Sequence, residues 1–114
     1  MVKVSINRYA LSRVEDSERD VEEGFERLRG RLFRNLEEVF QLSARVARGE
    51  TRHRRVEGRL VRISSGERRV WLRVAEETAK TIKQISENID EKEVKERLRE
   101  IRELIIEAES SYKN

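Results

Sequence analysis

The chain has 114 residues, and its 26 Lys and Arg residues against 23 Asp and Glu residues leave a formal net charge of only +3. It has no cysteine and one histidine, which excludes disulfides, thiolate metal sites and cysteine nucleophiles and leaves little material for a His-based triad. No segment approaches the run of about 18 apolar residues that a membrane span needs, and the N-terminus lacks a signal-peptide pattern. We therefore expect a soluble, cytoplasmic protein without enzymatic activity, metal or cofactor. Abundant Glu and Arg without cysteine also suit a heat-adapted source.

The positive charge is confined to one segment. Residues 51–75 contain 8 basic and 2 acidic side chains, whereas residues 1–50 are balanced and residues 76–114 carry an acidic excess of three. Every basic residue of the 51–75 segment other than His53 is arginine. We interpret His53, which lies among arginines, as part of this basic segment and not as a catalytic base.

The N-terminal half predicts a strand followed by a long helix. Val2, Val4 and Ile6 alternate with polar residues, which is typical of a half-buried strand. Ser17 with Asp20 resembles a helix capping box, and an apolar stripe then continues at three- and four-residue steps to about residue 46. Gly49 is a plausible stop for this helix, and Gly24 and Gly30 mark places where it could bend or split.

Residues 54–75 predict a β-hairpin, with Ser64-Ser65-Gly66 as its loop. In that register one face is apolar and packs on the core. The opposite face collects arginines around one aromatic ring, with Arg59 beside Trp71, Val61 beside Arg69, and Glu57 beside Arg73.

The last third predicts helices. A stripe from Thr78 to Ile89 precedes a second capping signature at Asp90 and Glu93, which indicates a break or restart. Beyond it lies a leucine-zipper-like seam, for which two readings stay open: self-association into an antiparallel dimer or a four-helix arrangement such as a tetramer, or packing on the chain's own long helix. Its predicted oligomerisation residues are Val94, Leu98, Ile101, Ile105 and Ala108, with Tyr112 continuing the stripe.

These elements together predict an α+β fold: a small antiparallel sheet, made of the N-terminal strand and the hairpin, packed on a long helix and followed by zipper-like C-terminal helices. We divide the chain into a nucleic-acid-binding α+β core over residues 1–89 and a C-terminal oligomerisation helix over residues 90–114.

The basic, aromatic face of the predicted hairpin favours binding of single-stranded DNA or RNA with little sequence preference. Arginine side chains follow phosphates, and aromatic rings stack on bases. The predicted binding residues are Lys3, Tyr9, Arg55, Arg59, Val61, Arg69, Trp71 and Arg73. Two alternatives remain: a solvated ionic face with Trp71 in the core, or a structural adaptor that oligomerises and docks a protein partner.

A compact unit with a basic, aromatic face and a zipper-like last helix resembles the archaeal ThermoDBP family and its shorter relatives. The residues that suggest it are Arg59, Arg69, Trp71 and Arg73, together with Val94, Leu98, Ile101 and Ile105. The resemblance implies a protein that binds single-stranded nucleic acid in a cleft of basic and hydrophobic residues and assembles through its C-terminal helix. It covers almost the whole chain by architecture, without a sequence fingerprint.

Overall fold

The computed structural model describes residues 5–87 and 89–110, which form four helices and one β-hairpin. In chain order the elements are α1 (Ile6–Gly24), α2 (Arg29–Ala47), β1 (His53–Val56), β2 (Arg59–Arg62), α3 (Ser65–Glu87) and α4 (Glu91–Ser110). Val2, Lys3, Val4 and Tyr112 lie outside the described residues.

The predicted long helix is two antiparallel helices, and the first begins earlier than the capping box suggested. Ser5 caps α1, because its hydroxyl accepts a hydrogen bond from the Arg8 amide at 3.2 Å, and Ile6 is therefore helical. Ser17 lies buried inside α1 and donates its hydroxyl to the Arg13 carbonyl at 2.9 Å, which satisfies this polar group without ending the helix. The α1 helix ends at Gly24, one of the two glycines where a split was anticipated.

The four helices form an antiparallel bundle in which each helix packs on two neighbours, in the cyclic order α1, α2, α3, α4. Ion pairs between neighbouring helices agree with this antiparallel arrangement. Arg31 of α2 contacts Asp20 of α1 at 3.0 Å, and Arg102 of α4 contacts Glu18 of α1 at 3.7 Å. The hairpin connects α2 to α3, so it lies at the end of the bundle where α4 finishes; the α1–α2 connection lies at the far end.

The expectation of a sheet packed on a long helix is wrong, because the hairpin lies earlier in the chain and the described part of the sheet has two strands. Its turn is Glu57-Gly58, and both residues have positive φ, 50° and 80°. A two-residue turn of this kind matches the twist of the flanking strands.

The segment predicted as the hairpin loop and second strand is instead the start of α3. The Ser64 hydroxyl accepts a hydrogen bond from the Glu67 amide at 3.1 Å, and the Glu67 carboxylate accepts one from the Ser64 amide at 3.4 Å. This is a reciprocal capping box. Behind it Val70, Trp71 and Val74 recur at helical spacing and are buried, so the apolar pattern read as a strand is one face of a helix.

One core runs through all four helices. Its largest fully buried side chains include Trp71 of α3, Leu32 and Leu36 of α2, and Leu98 and Ile101 of α4. The second capping signature is confirmed at the start of α4, where the Glu93 amide donates to the Asp90 carboxylate at 2.9 Å. Because α4 contributes to the same core as the other helices, it completes the bundle.

The backbone of the turn gives a testable prediction. Gly58→Ala should lower the free energy of unfolding by about 1–2 kcal/mol, because a side chain in the left-handed region meets its own backbone. Gly30→Ala, in helix α2, should instead raise it by up to about 1 kcal/mol. Neither added Cβ has another atom within 4 Å, so backbone conformation alone separates the two variants. Urea denaturation followed by circular dichroism measures both; equal effects would contradict the turn geometry.

Candidate nucleic-acid interface

The hairpin has an inner face on the bundle and an outer face in solvent. Its register pairs His53 with Arg62, Arg54 with Val61, Arg55 with Leu60 and Val56 with Arg59. Side chains alternate along each strand, and Arg54 and the flanking Ile63 are buried, 4% and 2% exposed, so their face is the inner one. The outer face therefore carries His53, Arg55, Leu60 and Arg62.

A buried ion pair fastens the hairpin to the bundle. The Arg54 Nε donates to the Glu67 carboxylate at 2.6 Å, and both side chains are almost completely buried. The same arginine donates through Nη2 to the Glu109 carbonyl in the last turn of α4, at 3.4 Å. Glu67 is also the capping residue of α3, so one cluster of polar groups joins β1, α3 and α4.

The remaining hairpin arginines are exposed, except for Arg55, which is half-buried. Within the described residues, Arg52, Arg55, Arg59 and Arg62 have no carboxylate at ion-pair distance, and Glu57 is the only acidic residue of segment 52–62. Two of them bond backbone carbonyls instead: Arg52 Nε donates to Gly49 at 2.9 Å and Arg55 Nη1 to Gly58 at 3.2 Å. We call this uncompensated set the arginine hairpin: Arg55 and Arg62 lie on the outer face, Arg59 is exposed beside the turn on the other face, and Arg52 precedes β1.

The structure brings together only part of the predicted binding set. Arg55 and Arg59 lie on the arginine hairpin, and Val61 is half-buried on its inner face. Trp71, expected on the outer face of a sheet, is fully buried in α3. It therefore cannot stack on a base without unfolding part of the core.

The other predicted binding residues lie on helices. Arg69 is exposed on α3, and Arg73 pairs with Glu107 of α4 at 3.1 Å. Tyr9 lies on α1, and its hydroxyl donates to the Glu38 carboxylate at 2.7 Å. That hydrogen bond, together with partial burial, raises the pKa of Tyr9. Lys3 lies outside the described residues.

The predicted oligomerisation seam faces the interior of its own chain. All five residues are at most 1% exposed within a single chain: Val94, Leu98, Ile101, Ile105 and Ala108. This arrangement matches the alternative in which the last helix packs on its own chain. These side chains are not accessible to a second copy in this structure, so a homo-oligomer would need another surface.

Negative charge collects on a different face. An open groove of about 490 Å³ between α3 and α4 is lined by five glutamates, one leucine and Arg73. These glutamates are Glu76, Glu77, Glu100, Glu103 and Glu107. The arginine hairpin and this acidic groove make the molecule electrostatically asymmetric.

Sequence reasoning missed Arg54, Glu67, His53 and Arg62 as the residues that define the site. Two signals were present for the correct hairpin: the Ser-x-x-Glu pattern at Ser64 to Glu67, which begins a helix, and the Glu57-Gly58 pair flanked by short β-type runs. Reading them first ends the second strand before Ser64 and leaves Trp71 on a helix.

Comparisons with family models, curated proteins and solved structures gave no match to this chain. The resemblance to the ThermoDBP family thus stays a prediction, and three of its residues, Arg69, Trp71 and Arg73, lie on α3 instead of a hairpin. Across residues 5–87 and 89–110, no helix has the length and apolar character needed to cross a membrane. The same residues contain no group of three side chains that could hold a metal ion.

The buried ion pair gives a second prediction. Glu67→Gln should lower the free energy of unfolding by about 3–5 kcal/mol, because it removes the buried carboxylate that the Arg54 guanidinium contacts at 2.6 Å. The matched control is Glu107→Gln, which removes the exposed carboxylate that Arg73 contacts. This variant should change the free energy of unfolding by less than about 1 kcal/mol. Urea denaturation measures both variants.

A double replacement completes the test. Arg54→Met with Glu67→Leu removes both charges, and it should be less destabilised than Glu67→Gln alone. A double variant that is less stable than the single one would contradict the assignment of the loss to the missing carboxylate beside the buried Arg54 charge.

Proposed function

We propose that this protein binds nucleic acid through the arginine hairpin and is not an enzyme. The observation that carries the proposal is the set of four arginines at one end of the bundle that the described fold leaves without carboxylate partners. Guanidinium groups bind phosphate with a planar fork of donors, and a polyanion supplies phosphates at regular spacing.

The proposal is supported by a contrast with the arginines that join neighbouring helices. Arg13, Arg31 and Arg102 are paired with acidic residues of a neighbouring helix, at 3.1, 3.0 and 3.7 Å. Those arginines serve the packing of helix pairs and have their charge neutralised. The four side chains of the arginine hairpin pair with no carboxylate of the described residues, so an external anion can supply their counter-charge.

The anchoring of the hairpin also favours binding. Arg54 ties β1 to α3 and α4, so the strand that carries Arg55 is held in place before any ligand arrives. A pre-ordered interface loses less conformational entropy on binding. The acidic groove between α3 and α4 repels a polyanion, which leaves the hairpin end as the approach route.

Removal of hairpin arginines tests the proposal. Arg55→Ala and Arg62→Ala should each weaken binding of a fluorescent oligonucleotide and reduce the log–log dependence of affinity on salt by about 0.7–0.9, the value of one phosphate contact. Anisotropy titrations at several salt concentrations measure both quantities, and circular dichroism checks the fold.

The matched control is Arg27→Ala. Arg27 is an exposed arginine in the α1–α2 connection, at the far end of the bundle, and it has no carboxylate partner among the described residues. The Arg27→Ala variant removes the same charge as Arg55→Ala and should leave the salt dependence of binding unchanged. Equal effects of Arg27→Ala and Arg55→Ala would indicate a net-charge effect, and no binding of the unaltered protein to DNA or RNA would favour the adaptor alternative.

A further inference from the structure

We infer that the nucleic acid recognised by the arginine hairpin is B-form duplex DNA, whose major groove the hairpin enters as a two-stranded ribbon. The inference rests on the proposed function and specifies its ligand. Its basis is the composition of the outer face, the width and projection of the hairpin, and the location of the aromatic side chains.

The outer face offers little of what a single strand needs. Proteins that hold single strands stack the bases on aromatic rings beside a positive groove. Segment 52–62 contains no Phe, Tyr or Trp, its one aromatic ring is the small imidazole of His53, and Trp71 is buried. Tyr9 and Phe40 are each 37% exposed, but they lie on α1 and α2, and the Tyr9 hydroxyl is bound to a carboxylate that repels phosphate.

The dimensions of the hairpin suit the major groove of DNA. The two strands, of four residues each, lie about 4.8 Å apart, so the backbone of the ribbon is narrower than the B-DNA major groove, which is about 12 Å wide. That groove admits a two-stranded ribbon, whereas the major groove of A-form RNA is too deep and narrow for side-chain readout. Duplex DNA is therefore the better fit.

The tip of the hairpin projects from the bundle. Leu60 is 66% exposed, and a Cβ placed at Gly58 has no other atom within 4 Å. The base is held by the buried Arg54 and Ile63. A ribbon fixed at its base and free at its tip can enter a groove without rearrangement of the helices.

The side chains of the outer face match the chemistry of the groove floor. Arg62 lies two residues beyond Leu60, the cross-strand partner of Arg55, so Arg55 and Arg62 share the outer face in a diagonal relation that separates such residues by about 7–8 Å. Arginine donates to the O6 and N7 acceptors of guanine, and an apolar side chain such as Leu60 contacts the thymine methyl group. Arg52 and Arg59, exposed near the two ends of the ribbon, are placed for the phosphates at the groove edges.

A competition experiment tests the ligand. Unlabelled 20-mers of one sequence, as single-stranded DNA, DNA duplex and RNA duplex, compete for the full chain against a labelled DNA duplex. The DNA duplex should compete at least tenfold better than the other two. A single strand or RNA duplex that competes equally well overturns the inference and leaves the proposed function intact. If the protein binds neither the labelled duplex nor labelled single strands, the inference and the proposed function are both overturned.

A second experiment identifies the DNA groove that the hairpin enters. Methyl green, which occupies the major groove, should displace the protein, and netropsin, which occupies the minor groove, should not; the reverse overturns the inference.

Leu60→Ala should weaken duplex binding several-fold with an unchanged salt dependence. Its control is Leu72→Ala, an exposed leucine of α3. If Leu60→Ala binds duplex DNA as tightly as Leu72→Ala, the outer face does not enter the groove.

Discussion

The buried contact between Arg54 and Glu67 is the interaction on which the arrangement of this molecule depends. Removing two opposite charges from water is unfavourable by several kcal/mol per ion, and it is compensated only where geometry is close and the other polar atoms are bonded. Here the ions meet at 2.6 Å, the carboxylate also accepts from the Ser64 amide, and the guanidinium reaches the Glu109 carbonyl. The start of α3, the position of β1 and the end of α4 are thereby set together.

This contact also fixes which hairpin residues face solvent. Successive side chains of a strand point to opposite faces, so a shift of one residue would bury Arg55 and expose Arg54. Only Arg54 has a buried carboxylate to meet it, and the alternative register would leave both Glu67 and an arginine unpaired in the core. The outward position of Arg55 and Arg62 is thus a consequence of a core interaction, and the proposed binding would depend on a buried pair that lies away from the ligand.

Sequence patterns predicted the start of α4 at Asp90 and the end of α2 before Gly49, which has a φ of 80°. The Ser17–Asp20 pattern was misleading, because Ser17 lies inside α1. Periodicity failed at residues 64–74, because Val70, Trp71 and Val74 fit a short strand and a helix face about equally, and Gly66 fits a hairpin loop as well as the first turn of a helix capped by Ser64. The identity of the buried arginine was beyond prediction. Arg52, Arg54 and Arg55 are chemically equal, and the choice among them is made by a carboxylate that tertiary packing brings to Arg54.

The charge asymmetry follows from the bundle more than from composition. Helices that pack side by side bring some acidic and basic residues of opposite faces into contact, as in Arg31 with Asp20 and Arg73 with Glu107. On the hairpin only Arg54 meets a carboxylate, that of Glu67 at the start of α3. The four side chains of the arginine hairpin have no carboxylate of the described residues at ion-pair distance, whereas five glutamates line the groove between α3 and α4. A molecule that is near neutral in sum therefore separates its charge in space, and the field of this arrangement would orient the proposed polyanion before contact.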